Sequence, residues 1–119
     1  MKITNQLILL IALVLLTLSC ELEDDPTPQA ELKIYVSGVL SGNPRNNVKV
    51  TLYGSAEDAE NETNKIEKRR TDRDGFVVFT DLELNNTYWA RANTFLGQNK
   101  TIRSIELEQV NNELDLPIL

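Results

Sequence analysis

The sequence predicts an all-β protein, a single antiparallel β-sandwich of about seven short strands. Three observations lead there. Apolar and polar residues alternate over short segments, as in Leu32-Lys33-Ile34-Tyr35-Val36. Gly, Pro, Asn and Asp punctuate those segments at short intervals. The one run of good helix formers, residues 55–62, carries no apolar stripe with which to dock. The sandwich is assigned to residues 31–119, preceded by a signal helix over residues 1–19 and a disordered acidic linker over residues 20–30.

The chain opens with Met1-Lys2, a short basic region, and then an apolar run from Leu7 to Leu18. At about a dozen residues that run has the length of a signal-peptide core. It is shorter than the roughly twenty residues needed to span a bilayer. Its end, Thr17-Leu18-Ser19-Cys20, places a small residue before the only cysteine of the chain. These four residues resemble the lipobox of bacterial lipoproteins, with Thr17 standing where that family usually has Leu. The resemblance implies a diacylglyceryl group on the Cys20 thiol, cleavage just before it, and acylation of the new amino terminus. An ordinary secretory signal would leave an unpaired thiol in an oxidising compartment, a reactive liability that acylation removes. Each buried methylene contributes about 0.8 kcal/mol, so several acyl chains hold a protein on a membrane durably.

Lys2 is the only charged residue ahead of Cys20, so the mature chain has eleven basic and eighteen acidic residues, a net charge of −7 without histidine. Such a balance does not draw a protein to nucleic acid or to anionic headgroups. Four of the acids sit in Glu21-Leu22-Glu23-Asp24-Asp25. This tract resembles the acid-rich export signal of surface lipoproteins in some Gram-negative bacteria; it reads equally as a solvated spacer extended by charge and by Pro26 and Pro28.

Within the sandwich, Leu32, Ile34 and Val36 share one strand face, and Ser37-Gly38 and Ser41-Gly42-Asn43-Pro44 turn the chain. Val48, Val50 and Leu52 share the face of a second strand that stops at Gly54. Residues 55–62 form a loop with at most one helical turn, where Ser55 and Asp58 resemble a capping box. Residues 65–71, with Ile66 as their one apolar contact, suit a charged edge strand. Asp72-Arg73-Asp74-Gly75 is a tight turn into Phe76-Val77-Val78-Phe79. Leu82 and Leu84 follow across a short connection, and Asn85-Asn86 turn into Thr87-Tyr88-Trp89-Ala90-Arg91-Ala92. Gly97-Gln98-Asn99 lead to a strand over residues 101–107, and after Asn111-Asn112 the residues Leu114, Leu116 and Ile118 alternate to the end.

Three of these segments, residues 48–52, 71–82 and 87–92, together resemble the carboxypeptidase regulatory-like domain. That family belongs to the prealbumin-like group of Ig-like sandwiches, with transthyretin-like and collagen-adhesin B-type modules. The pattern matched is a valine-rich strand, a variable loop, the turn Thr71-Asp72-Arg73-Asp74-Gly75, an alternating strand, Leu82, and a strand opening with Tyr88. Asn85-Asn86 stand where the family usually has Pro-Gly, and Ala90 and Ala92 are smaller than its inward residues. The resemblance implies that Val77, Phe79, Leu82 and Tyr88 face inward, with Phe76, Val78, Trp89 and Arg91 on the opposite faces.

Trp89 and Arg91, two apart on one strand, share a face and are the candidate binding residues, a stacking and cation–π platform for a sugar ring or a partner loop. The same tryptophan could instead cover a thin part of the core. Catalysis is argued down by what the sequence lacks: without histidine and with Cys20 acylated, it cannot build a Ser-His-Asp, Cys-His or ordinary zinc site. The transthyretin-like hydrolases depend on histidine, which excludes that branch of the resemblance. No metal or cofactor is expected. Asp72-Arg73-Asp74-Gly75 fails as a calcium loop because Arg70 stands where an Asp should open it. A Lys–Asn isopeptide of the adhesin type would have to join Lys33 to Asn111 or Asn112, but Lys33 points away from the apolar face.

The expectation is therefore a lipid-anchored lipoprotein of the cell envelope at the outer membrane, held through Cys20. It would present a non-catalytic module to an envelope protein complex or a glycan, without nucleic acid as a partner.

Overall fold

The computed structural model describes residues 28–93 and 100–119, folded as two packed sheets. The strands are β1 (Gln29–Gly38), β2 (Lys49–Tyr53), β3 (Glu67–Arg70), β4 (Phe76–Glu83), β5 (Thr87–Asn93), β6 (Lys100–Glu106) and β7 (Asn111–Ile118), with one short helix, α1 (Ala56–Asn61), between β2 and β3. One sheet has the order β4-β1-β7 and the other β3-β2-β5-β6. The signal segment, Cys20, the acidic tract and the expected turn at Gly97-Gln98-Asn99 lie outside the described residues.

Strand β1 organises the core. Its even-numbered residues Ala30, Leu32, Ile34 and Val36 are buried to 2% exposure or less, while Glu31, Lys33, Tyr35 and Ser37 are half-buried on the outer face. It begins at Gln29, so Gln29 and Ala30, expected in the linker, belong to the sheet. The inward residues of β1 meet Val50 and Leu52 of β2, Phe79 and Leu82 of β4, Tyr88, Ala90 and Ala92 of β5, Leu107, and Leu116 and Ile118 of β7 in one cluster. Complete burial contributes about 1.5–3 kcal/mol for each large apolar side chain, and this cluster is the main source of stability.

The expected all-antiparallel sandwich is met except at one pair. β1 runs antiparallel to β4 but parallel to β7, in a register from Glu31 opposite Asn111 to Gly38 opposite Ile118. A parallel neighbour requires a long crossover; here the intervening chain builds β4 and all four strands of the second sheet before returning. The other sheet is antiparallel throughout.

The break expected between Phe79 and Leu82 is a β-bulge inside a continuous strand. Leu32 pairs with Phe79 and Ala30 with Leu82, so Thr80 and Asp81 together oppose Glu31, and Asp81 takes a left-handed φ of 59°. The extra residue shifts the alternation by one, which lets Phe79 and Leu82 both face inward despite their odd spacing. Tyr88 then locks the following turn: its hydroxyl accepts the Glu83 N–H at 2.9 Å, the arrangement of a tyrosine corner.

Candidate functional site

The expected platform residues lie on the outer face of the four-stranded sheet. Trp89 is half-buried and registers with Tyr53 on one side and Ser104 on the other. Arg91 shares that face, as strand alternation demands, but its guanidinium is engaged. Nη1 donates to the Ala59 and Glu60 carbonyls at 2.8 and 3.0 Å, Nε donates to Asn93 Oδ1 at 3.1 Å, and Glu62 lies 3.4 Å away. The side chain is only 11% exposed.

These bonds explain why α1 can form without an apolar stripe. Ser55 caps its start, with Oγ accepting the Asp58 N–H at 3.1 Å, so the turn expected from Ser55 and Asp58 extends to six residues. Ala59 is its one buried side chain. No basic residue of its own occupies the last turn, and Arg91 supplies from the sheet the positive charge that the carbonyl end of a helix favours. Lys100 bonds to Glu60 and holds its carboxyl below the usual range, and hydrogen bonds from Thr63, Ser55 and Asn64 do the same for Asp58.

The Thr71–Gly75 motif is a pinned turn. Buried Thr71 donates from Oγ1 to the Arg45 carbonyl at 2.6 Å and accepts the Val48 N–H at 2.9 Å, pinning the loop before β2. Asp72 Oδ1 accepts the Asp74 and Phe76 N–H groups, both at 2.9 Å, so the carboxylate closes its own turn. Gly75 has φ of 82°, and an added Cβ would come 2.7 Å from the Val36 carbonyl oxygen. Only glycine fits both the dihedral and the approach. Among the described residues no cluster of three potential metal-ligating side chains occurs.

The structure brings together a second constellation, on the outer face of the three-stranded sheet. Tyr35 of β1 and Phe76 of β4 are register partners with ring centroids 5.1 Å apart at 44°. Lys33 Nζ sits 4.2 Å above the Phe76 ring. On the other side β7 places Glu113 beside Lys33 and Asp115 beside Tyr35. These five residues and Leu114 line a groove of about 220 Å³. The outward alternation of Lys33, Tyr35 and Phe76 was legible from the strands; the acidic wall was not, because it depends on the parallel β1–β7 pair. Asn112 is committed elsewhere, donating through Nδ2 to the Glu31 and Gln109 carbonyls at 3.1 and 2.7 Å.

No protein-family model matches the sequence, and no curated protein matches it. Solved structures do resemble the fold. A 5-hydroxyisourate hydrolase from Klebsiella pneumoniae aligns at 16% identity with a TM-score of 0.58, over 75% of this chain and 89% of its own. A DUF3823 family protein from Parabacteroides merdae aligns at 17% identity and 0.56, over 77% of this chain and 46% of its own. The shaft pilin SpaA of Lactobacillus rhamnosus aligns at 11% identity and 0.55, over 76% of this chain and 47% of its own. The chain thus spans under half the length of the latter two. At these identities the likenesses show a shared two-sheet β-sandwich fold.

Proposed function

We propose that this chain is a cell-envelope lipoprotein whose sandwich is a non-catalytic structural or interaction module, held at the outer membrane by acyl groups on Cys20. The observation that carries the reading is the apolar leader ending at Ser19-Cys20, the only thiol of the chain, directly before an acidic tract. Two further features support it. The sandwich starts at Gln29, leaving a spacer of only eight residues between Cys20 and the first strand. The chain has no histidine with which to run the hydrolytic chemistry named for one of its structural neighbours. A module of the same fold in a shaft pilin supports a structural role.

The direct experiment is a Cys20→Ala substitution followed by membrane fractionation. Full-length chain in the membrane pellet and the variant in the soluble fraction is the expected result; a variant that stays in the pellet overturns the assignment of the anchor.

A second reading, a glycan- or peptide-binding lipoprotein, draws on the groove at Lys33, Tyr35 and Phe76 rather than on Trp89 and Arg91, because Arg91 is already bonded to α1. In a glycan array, this reading expects Tyr35→Ala to abolish a signal that Trp89→Ala leaves intact. Loss with Trp89→Ala alone would return the site to the other sheet.

A further inference from the structure

Charge is distributed unevenly along the sandwich. Carboxylates gather where β1 begins: Gln29 pairs with Glu83, Glu31 opposes the Asp81 bulge, and Glu106 pairs with Thr87 in the neighbouring sheet. At the far end, roughly 30 Å away along the ten residues of β1, cations outnumber the exposed acids Asp72 and Asp74, and the Asp72 carboxylate is taken up by its own turn. Arg45 hydrogen-bonds through its N–H to the Val36 carbonyl near the end of β1, and Arg73 lies in the turn whose Gly75 carbonyl accepts the Val36 N–H. On the outer face of the four-stranded sheet Lys49 registers with Arg70, and Thr51, one step along, with Lys68. All five cations are exposed. Among the described residues none of the five has a carboxylate within ion-pair distance; the ion pairs present are Arg69–Glu67, Arg91–Glu62 and Lys100–Glu60.

We infer that this end is a binding strip for an anionic polysaccharide, with Lys49, Lys68 and Arg70 as its centre and Arg45 and Arg73 as its continuation. In a protein of net charge −6, a one-sided cluster of this kind is an electrostatic footprint rather than a by-product of composition. Its shape selects the partner. Lys49 and Arg70 face each other about 5 Å apart across the strands and Lys68 stands about 7 Å along β3 from Arg70, and a polymer with a carboxylate on each residue or pair of residues can reach all three. A protein interface would instead centre on a desolvated aromatic or aliphatic anchor and would be poor in lysine; beside Lys49, Lys68 and Arg70 stand Thr51 and Asn47, while the exposed Val39 and Leu40 of this end follow β1 in the other sheet. The backbone under the strip is fixed: Arg70 Nη1 donates to the Asn47 carbonyl at 3.1 Å, and Thr71 ties the Arg45 carbonyl. The strip does not depend on acylation of Cys20, and the test keeps the two separate.

Full-length protein in neutral detergent is measured against polygalacturonate, neutral dextran, duplex DNA, and vesicles of phosphatidylcholine with phosphatidylglycerol. The expected result is binding to polygalacturonate but not to dextran, weakened as salt rises. A Lys49→Gln/Lys68→Gln/Arg70→Gln triple variant should lose about tenfold in affinity. A Lys65→Gln/Lys100→Gln/Arg103→Gln triple, which has the same net charge, should lose less than about threefold. Equal losses in the two triples would reduce the effect to net charge and overturn the strip. No binding to polygalacturonate, or tighter binding to DNA or vesicles, would overturn the polysaccharide assignment. Matching thermal transitions for both triples confirm that the comparison is made on folded protein.

Discussion

Gly75 and Thr71 show how much of this fold rests on single atoms. Placing a Cβ on Gly75 adds left-handed strain to a 2.7 Å clash with the Val36 carbonyl, so Gly75→Ala is expected to cost roughly 2 kcal/mol or more, read as a lower denaturation midpoint at unchanged slope. Thr71→Val keeps the shape and strands two backbone partners, the Arg45 carbonyl and the Val48 N–H. About 1–3 kcal/mol should be lost in the same assay. The motif 71–75 was readable as a turn because Asp and Gly announce the dihedrals they accept. Its threonine was not readable as a buried anchor, since both partners lie more than twenty residues away in sequence. Trp89 and Arg91 show the same limit. Their common face follows from strand alternation, whereas the bonding of Arg91 to carbonyls of α1 depends on where a loop of the chain comes to rest.

At the scale of elements, α1 is held by polar contacts to the sheet rather than by an apolar stripe, and its attachment is therefore sensitive to pH. Asp58 and Glu60 have carboxyls held below their ordinary values by hydrogen bonds, with Lys100 the partner of Glu60. A depressed carboxylate stabilises the fold above its unfolded pKa and loses that contribution as pH falls through the folded one. The helix is thus expected to loosen below about pH 4, before the core unfolds. Trp89, the only tryptophan of the chain, lies on the face that α1 partly covers, so a red shift of its emission in that range, ahead of the loss of strand circular dichroism, is the expected signal. A single coincident transition would contradict it. Arg91→Ala should produce the same loosening at neutral pH and cost about 1.5–3 kcal/mol, the usual contribution of hydrogen bonds to a charged group. The strands themselves were legible from alternation. The bulge at Asp81 and the parallel β1–β7 pair were not, because period-two patterning fixes which face a residue takes but not which strand lies beside it.

Among the described residues the sandwich gathers carboxylates at the end where β1 starts and most of its unpaired cations at the other, with Asp72 and Asp74 among them. Under the proposed anchorage a short acidic spacer separates the end where β1 starts from the membrane, and the cations of β2, β3 and the 72–75 turn face outward. The most direct test of the anchored module is the intact mass of the protein recovered from its membrane. The account predicts a chain that begins at Cys20 and is heavier than residues 20–119 by a diacylglyceryl group and an amide-linked acyl chain. A mass equal to the uncleaved sequence, or to a cleaved chain without acyl groups, would contradict it.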